Sequence, residues 1–289
     1  MKRTSVFVLA GLLLFAGACS HKVERHTFYS QFLRTDSLQV EEIWAPDGKE
    51  PRAGHHGPAV ENRYMALRFY LDGRSAIDVY SKSGLIDDEL GRWLWYPSRE
   101  AQEKDGAGCD EYFVGRTVGL GGVRLWNGEN EVEMVPSAGL RSLVGRTEGG
   151  AYMEKIFYGV PYLADTIDVS VRVDVSDVSR WAVVSARELS GKPVRFVTGV
   201  NYHPGSEILR DEGLAAVWGC HPADVSSKPV PIGGAIRFNP SVFPFVDDTG
   251  NTVRLVSEPV SGFSTEIVSA SVKEAELCTA ERFFDFVKR

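Results

Sequence analysis

The stretch 167–175 constrains the fold more than any other part of the sequence. Every second residue in it is Ile or Val, and the residues between them are polar or charged. Strict alternation of this kind predicts a β-strand with one buried face, and β-branched side chains favour the extended conformation. The segment therefore predicts an antiparallel sheet whose apolar face packs on a hydrophobic core.

Similar short segments follow one another along most of the chain. The pattern predicts strands at 39–44, 64–71, 76–80, 123–126, 131–135, 139–146, 151–159, 164–175, 181–188, 194–200, 233–238, 252–257 and 262–272, and a short terminal helix within 274–288. Many short strands without a long amphipathic helix predict an all-β protein, most simply a large antiparallel β-sandwich. No change of composition marks a boundary, so we predict a single domain over residues 38–289.

The N-terminus has the pattern of an export signal. Lys2 and Arg3 precede a short apolar stretch, which ends in Ala16-Gly17-Ala18-Cys19. This arrangement resembles the lipobox of bacterial lipoproteins and predicts a signal peptide over 1–18, lipidation of Cys19 and a polar tether over 19–37. We expect an exported protein whose lipid anchors it to a bacterial membrane, on the periplasmic side of the outer membrane. The alternative is a soluble secreted protein that is cut nearby.

Charge and cysteine content exclude several classes of function. The chain has a net charge of −7 and no basic run, which argues against nucleic acid as a partner. Besides Cys19, the sequence contains Cys109, Cys220 and Cys278, without the spacing of a zinc site. We predict three buried, inert thiols, with one disulfide among them as the alternative.

A charged hairpin at 54–82 is the first candidate for a functional surface. On its first strand, Tyr64, Ala66, Arg68 and Tyr70 share one face, whereas the opposite face is wholly apolar. A guanidinium between two phenols suits a surface that binds a polar ligand. The alternative is that these side chains simply face solvent.

Histidines next to Gly or Pro mark loops that could carry out proton transfer. His55 and His56 precede the hairpin, while His203 and His221 each precede a proline. Loops on a rigid β scaffold often hold reacting groups, and histidine moves protons near neutral pH. Asp110 and Glu111, in a glycine-rich segment, are further candidate carboxylates. A divalent metal held by histidines is an alternative, although neighbouring side chains diverge on an extended backbone.

Several blocks of sequence together resemble one known family. They are His56–Asn62, Tyr64–Asp72, Ala76–Tyr80, Gly108–Asp110, Thr198–His203 and Trp218-Gly219. These blocks resemble the domain of unknown function 4861 family, found in exported proteins of bacterial polysaccharide-utilisation clusters. The resemblance implies a supersandwich similar to galactose mutarotase-like proteins. It also implies a relative that removes water from a terminal uronic acid of an oligosaccharide.

The residues and the resemblance together give a working hypothesis. We expect a carbohydrate-active enzyme that eliminates water or a sugar from acidic oligosaccharides, without a cofactor. The residues expected to take part are His203, His56, Tyr64 and Tyr158 in acid–base roles, and Arg68, Arg146, Glu61, Asn62, Trp218 and His221 in substrate binding.

Two alternatives of different classes remain open. The first is a carbohydrate-binding lipoprotein without catalytic activity, in which Trp93, Trp95 and Trp218 stack on sugars. The second is a mutarotase- or epimerase-like enzyme on neutral sugars, for which the arginines would be dispensable. A β fold suits all three functions and does not discriminate between them.

Overall fold

The computed structural model describes residues 30–31, 40–48, 57–70, 75–84, 89–92, 95–224, 226 and 228–289. Within these residues, short strands and three short helices follow one another along the chain. The strands are β1 (Ser30–Gln31), β2 (Val40–Ala45), β3 (Ala59–Glu61), β4 (Ala66–Phe69), β5 (Ile77–Tyr80), β6 (Arg124–Trp126), β7 (Glu131–Val132), β8 (Gly139–Thr147), β9 (Gly150–Tyr162), β10 (Asp165–Ser176), β11 (Ala182–Glu188), β12 (Phe196–Asn201), β13 (Glu207–Asp211), β14 (Leu214–Gly219), β15 (Ile232–Arg237), β16 (Phe245–Thr249), β17 (Thr252–Val256) and β18 (Gly262–Ser271). The helices are α1 (Glu89–Arg92), α2 (Arg99–Lys104) and α3 (Ala280–Val287).

A nine-stranded antiparallel sheet forms one layer of the fold. Its strand order is β13-β14-β15-β18-β11-β10-β9-β8-β2. The alternating strand β10 lies near the middle, and its Val169, Val171 and Val173 are fully buried while Arg172 and Asp174 lie partly in solvent. The alternation in the sequence therefore separates a core face from an outer face, as predicted.

Two smaller sheets, β1-β3-β4-β5 and β16-β17-β12-β6-β7, cover the core face of the large sheet. Gly119 and Leu120 join them, because Gly119 forms a bridge to Ile77 of β5 and Leu120 forms one to Val200 of β12. At Gly119 φ is +70°, and a side chain there would collide with the carbonyl oxygen of Ile77. The two joined sheets and the large sheet enclose one hydrophobic core, which confirms the predicted all-β antiparallel sandwich.

The charged hairpin differs from the prediction. Ala66 and Arg68 are buried, because a small second core packs on that face of β4. This core includes Leu90 of α1 and Trp95. Both faces of the strand are thus covered, and the face predicted to bind a polar ligand lies inside the protein.

Several other expectations need correction or fall outside the described residues. Part of the predicted tether forms β1, which pairs in parallel with β3. The three described cysteines are free, and only Cys109 is buried, whereas Cys220 is exposed and Cys278 is partly exposed. The predicted signal peptide, the predicted lipidation site Cys19 and His56 lie outside the described residues. Among the residues that are described, no helix has the length and apolar character needed to cross a membrane.

Candidate functional site

Two histidines from separate loops meet at one end of the β13–β14 hairpin. His203 follows β12 and His221 follows β14, and Glu207 pairs with Trp218 where the hairpin begins. The loop after His203 turns back through Pro204 and Gly205, with the Ser206 amide donating to the His203 carbonyl at 3.0 Å. Gly219 permits the close approach of the two loops, since a Cβ there would lie 2.9 Å from the Ser206 Cα.

The backbone carbonyl of Phe113 holds both histidine rings. It lies 2.9 Å from His203 Nε2 and 3.4 Å from His221 Nδ1, and it also accepts a hydrogen bond from Asn201 Nδ2 at 3.0 Å. A carbonyl oxygen only accepts hydrogen bonds, so we assign the protons of the neutral rings to His203 Nε2 and His221 Nδ1. The unprotonated nitrogens are then His203 Nδ1 and His221 Nε2. His221 Nε2 has no hydrogen-bond partner among the described residues.

His221 stays neutral at physiological pH. Burial, together with the neighbouring His203, lowers its pKa to about 3. Its ring lies against Tyr112, with 4.2 Å between the ring centroids, and 4.6 Å from the ring of His203. Tyr112 is fixed in turn by a hydrogen bond from its hydroxyl to the carbonyl of Asn201.

A polar cleft opens beside His203. Its volume is about 570 Å³, and its lining residues are Phe113, Val114, Gly115, Arg116, Thr117, Glu129, Asn130, Glu131, His203, Thr249, Gly250, Asn251, Thr252 and Arg254. This volume is in the usual range for small-ligand sites. Arg254 forms ion pairs with Asp247 and Glu131, whereas the exposed Arg116 forms no ion pair within the described part of the chain. Arg116 therefore offers the cleft a cation for an anionic ligand.

A buried arginine–aspartate cluster also involves the segment 109–114, which carries Phe113. Arg68 forms ion pairs with Asp78 and with Asp110, the latter at 3.5 Å, and donates a hydrogen bond to the Tyr96 hydroxyl at 2.9 Å. Asp110 forms a backbone bridge with Tyr80 of β5, only two residues before Tyr112. The cluster and the histidine pair thus share one segment of backbone.

Burial controls the ionisation of this cluster. It raises the pKa of Asp78 and of Asp110, and the nearby Asp78 carboxylate raises the pKa of Asp110 further. Burial disfavours the charge of Arg68, but the carboxylates hold the pKa of its guanidinium well above the ordinary value. Asp110 is therefore the more readily protonated of the two carboxyls, and Arg68 with Asp78 forms the closer ion pair.

Asp110→Asn is expected to stabilise the protein at neutral pH. A carboxyl whose pKa is raised by folding stabilises the folded state fully below the pKa of the unfolded chain, about 4. This stabilisation is lost as the pH rises. The amide does not ionise, so the gain in free energy of unfolding should increase from pH 4 to pH 8. Urea unfolding across this range, with the exposed Asp105→Asn as control, tests the prediction. A gain that does not vary with pH would contradict a raised pKa of Asp110 in the folded protein.

Glu61 and Asn62 lie inside the fold and not in the cleft. Glu61 pairs with Lys82 Nζ at 2.5 Å and accepts hydrogen bonds from the Leu90 and Gly91 amides of α1. Asn62 Oδ1 accepts from the Met65 amide at 2.7 Å, and its Nδ2 donates to the Ser176 carbonyl at 2.7 Å. These contacts join the hairpin to α1 and to the end of β10.

The remaining predicted residues also lie away from the histidine pair. Trp218 is buried in the core against Phe283, and Tyr64 packs under Arg180, whose Cζ lies 4.5 Å from the ring centroid. Tyr158 is on the outer face of the large sheet. Arg146 lies near the end of β8, where partial burial lowers its pKa. The structure thus brings together only His203 and His221 of the described site candidates, with Arg68 beyond the shared segment.

The predicted metal alternative has no counterpart in the described residues. Within them, no group of three or more His, Cys, Asp or Glu side chains is arranged to hold a metal ion. Asn201, Tyr112 and Arg116 were not among the predicted site residues. Their contacts depend on loops that meet only in the folded chain. Asn201 lies in the Thr198–His203 block, but no local motif marks Tyr112 or Arg116.

Comparison with known proteins identifies a family for this chain. No curated protein matches it significantly. A solved structure that resembles it is a quadruple mutant of the alpha-N-acetylgalactosaminidase NagBb from Bifidobacterium bifidum, with 10% identity and a TM-score of 0.30. The similarity covers 57% of this chain and 33% of that one, and a TM-score this low assigns neither fold nor reaction. A profile of the domain of unknown function DUF4861 matches residues 17–289, so the chain belongs to that family.

Proposed function

We propose that this protein is a carbohydrate-active enzyme that acts on acidic oligosaccharides by proton abstraction and elimination. The observation that carries the proposal is the position of His203 on the wall of a polar cleft, with its tautomer fixed by the Phe113 carbonyl. The other support is the resemblance noted above, which implies a relative that dehydrates a uronic acid.

Elimination at a uronic acid requires one group that takes and returns a proton. The Nδ1 of neutral His203 takes the proton from the carbon next to the sugar carboxylate. The electron pair of that C–H bond forms a double bond while the neighbouring C–O bond breaks. His203 then gives the proton to the departing oxygen, which leaves as water or as the hydroxyl of a released sugar. Atoms and charge balance without an oxidant or a metal.

The surroundings of His203 suit these steps. Arg116 would bind the sugar carboxylate and stabilise the negative charge that develops on it during proton abstraction. His221 stays neutral, so no second positive charge stands beside His203 when that ring becomes protonated. Asn201 and Tyr112 would keep the Phe113 carbonyl, and hence the histidine ring, in place.

Arg116→Gln distinguishes acidic from neutral substrates. Losing a charge-assisted hydrogen bond to the carboxylate should raise KM for a uronic-acid oligosaccharide by roughly tenfold to a hundredfold. Arg99→Gln, on the exposed face of α2, serves as the matched control. An unchanged KM would favour the alternative of an enzyme on neutral sugars.

The alternative of a sugar-binding protein without catalytic activity requires exposed tryptophans, and two of its three candidate residues do not meet this requirement. Trp95 and Trp218 are buried, so their rings do not offer a face to a sugar, and Trp93 lies outside the described residues.

Export and lipidation of Cys19 remain part of the proposal. Metabolic labelling with a radioactive fatty acid should mark the protein but not its Cys19→Ser variant, and equal labelling of both would contradict lipidation at this residue.

A further inference from the structure

An aromatic cluster lies on the outer face of the large sheet, away from the cleft. Trp44 on the edge strand β2 contacts Tyr158 on β9 edge to face, with 5.6 Å between the ring centroids. Trp44 is 49% exposed. The outer face of β10, further into the sheet, carries Asp168, Ser170, Arg172 and Asp174, whereas Trp44 presents a half-exposed indole at the edge.

The backbone of β8 supports one face of the Trp44 ring. The ring covers Gly139 of β8, where any side chain would collide with the indole, and φ of Gly139 is +122°. The backbone conformation and the available space therefore both require glycine at this position. One face of the indole rests on the sheet, and the rigid ring needs little ordering to bind a ligand on its other side.

Polar groups lie beside Trp44 on the same face of the sheet. Arg141, which pairs with Trp44 across β2 and β8, donates a hydrogen bond to Glu42 Oε2 at 2.6 Å. Its guanidinium also interacts with the Tyr158 hydroxyl. Trp44, Tyr158, Arg141 and Glu42 thus form one connected cluster, which we call the outer platform. Its charges balance, so its polar groups suit the ring hydroxyls of a sugar, which uronic acid residues carry as well.

We propose that the outer platform is a second, non-catalytic sugar-binding site that takes one pyranose residue of a glycan chain. The apolar C–H face of the sugar would stack on Trp44, and its hydroxyls would bind Arg141 and Glu42. The proposal rests on the proposed function only for the class of ligand. The cleft is lined by strands of the five-stranded sheet and nearby loops, on the opposite side of the core. The outer platform would therefore hold long chains to the protein without taking part in the reaction.

Affinity electrophoresis of the protein in gels containing polygalacturonate, alginate or glucuronoxylan tests this site. At least one polysaccharide should retard the native protein, and Trp44→Ala should weaken that binding by at least about tenfold. Phe245→Ala is the matched control, because Phe245 is an aromatic residue on an edge strand with 52% exposure. Trp44→Phe should restore part of the retardation.

The outcomes separate this site from the cleft. Trp44→Ala should keep full turnover of short oligosaccharides, while His203→Gln should keep full retardation by the polysaccharide. No retardation of the native protein in any of the three gels would overturn the proposal. Equal retardation of the native protein and Trp44→Ala would overturn it as well. Neither result bears on catalysis at His203, so the two proposals fail independently.

Discussion

Replacing His203 by glutamine is expected to reduce turnover of a uronic-acid oligosaccharide by about a hundredfold to ten-thousandfold, the usual contribution of a positioned acid–base group. The glutamine amide can still donate a hydrogen bond to the Phe113 carbonyl, which His203 Nε2 now contacts at 2.9 Å. It cannot take a proton, because an amide is not a base near neutral pH. The loss should therefore appear in kcat, with little change in KM or melting temperature.

The controls for this variant distinguish chemistry from folding. His26→Gln changes a histidine that the sequence places before the β domain, and it should leave turnover unchanged. His203→Gln should melt within about a degree or two of the native protein, because its loop hydrogen bonds can be retained. Native turnover by His203→Gln would exclude His203 from the mechanism.

The second large effect is expected on stability, from Arg68→Met. This change leaves Asp78 buried without its cation, and such losses cost about 3–5 kcal/mol of folding free energy. The cost should shrink at acid pH. Without Arg68 the folded-state pKa of Asp78 rises further. The protonated Asp78 carboxyl then favours folding below the pKa of the unfolded chain, about 4, and its ionisation opposes folding increasingly as the pH rises above that value. Urea unfolding at pH 4.5 and at pH 7.5 measures both predictions.

An exposed ion pair offers the comparison for Arg68. Lys104 pairs with Glu100 on the surface of α2, where water and salt screen the charges. Lys104→Met should therefore change stability little at either pH. If Arg68→Met were equally harmless, the arginine–aspartate cluster would not be the buried charge network that the structure indicates.

The sheet architecture was largely predictable, because the neighbouring strands β9, β10 and β11 of the large sheet alternate between buried and more exposed residues. Strand β10 was predicted at 164–175 and spans Asp165–Ser176. The strands that the sequence did not reveal lack this pattern. β14 is apolar and buried at almost every position, whereas β16 is exposed along nearly its whole length. Neither therefore shows the period of two on which the prediction depended.

The charged hairpin shows where reasoning from a single strand fails. Arg68 stands directly opposite Asp78 in the register of β4 and β5, a cross-strand pair that suggests a surface ion pair. Short segments around Leu90 and Trp95 cover that face, and contacts with Glu61, Ala66 and Tyr80 hold them there. Because the Arg68–Asp78 pair is buried, it holds the fold together instead of facing solvent. No local pattern in the sequence indicates this burial.

The site was predictable in part. His203 and His221 were identified because each lies in a loop next to proline, but their contact depends on the Phe113 carbonyl and on the close approach permitted at Gly219. Glu61 and Asn62 were predicted to bind substrate, but the structure gives them contacts that hold the hairpin. Arg116 lies in a glycine-rich turn, where no sequence pattern marks it as a site residue. Its place in the site becomes visible only because it lines the cleft.

The most direct test of the central claim is to incubate the protein with a panel of uronic-acid oligosaccharides and follow product mass together with ultraviolet absorbance. We predict the loss of one water, or cleavage with a new double bond, and a matching rise in absorbance that His203→Gln does not produce. Sugars that keep their mass and their absorbance across the whole panel would contradict elimination as the function of this protein.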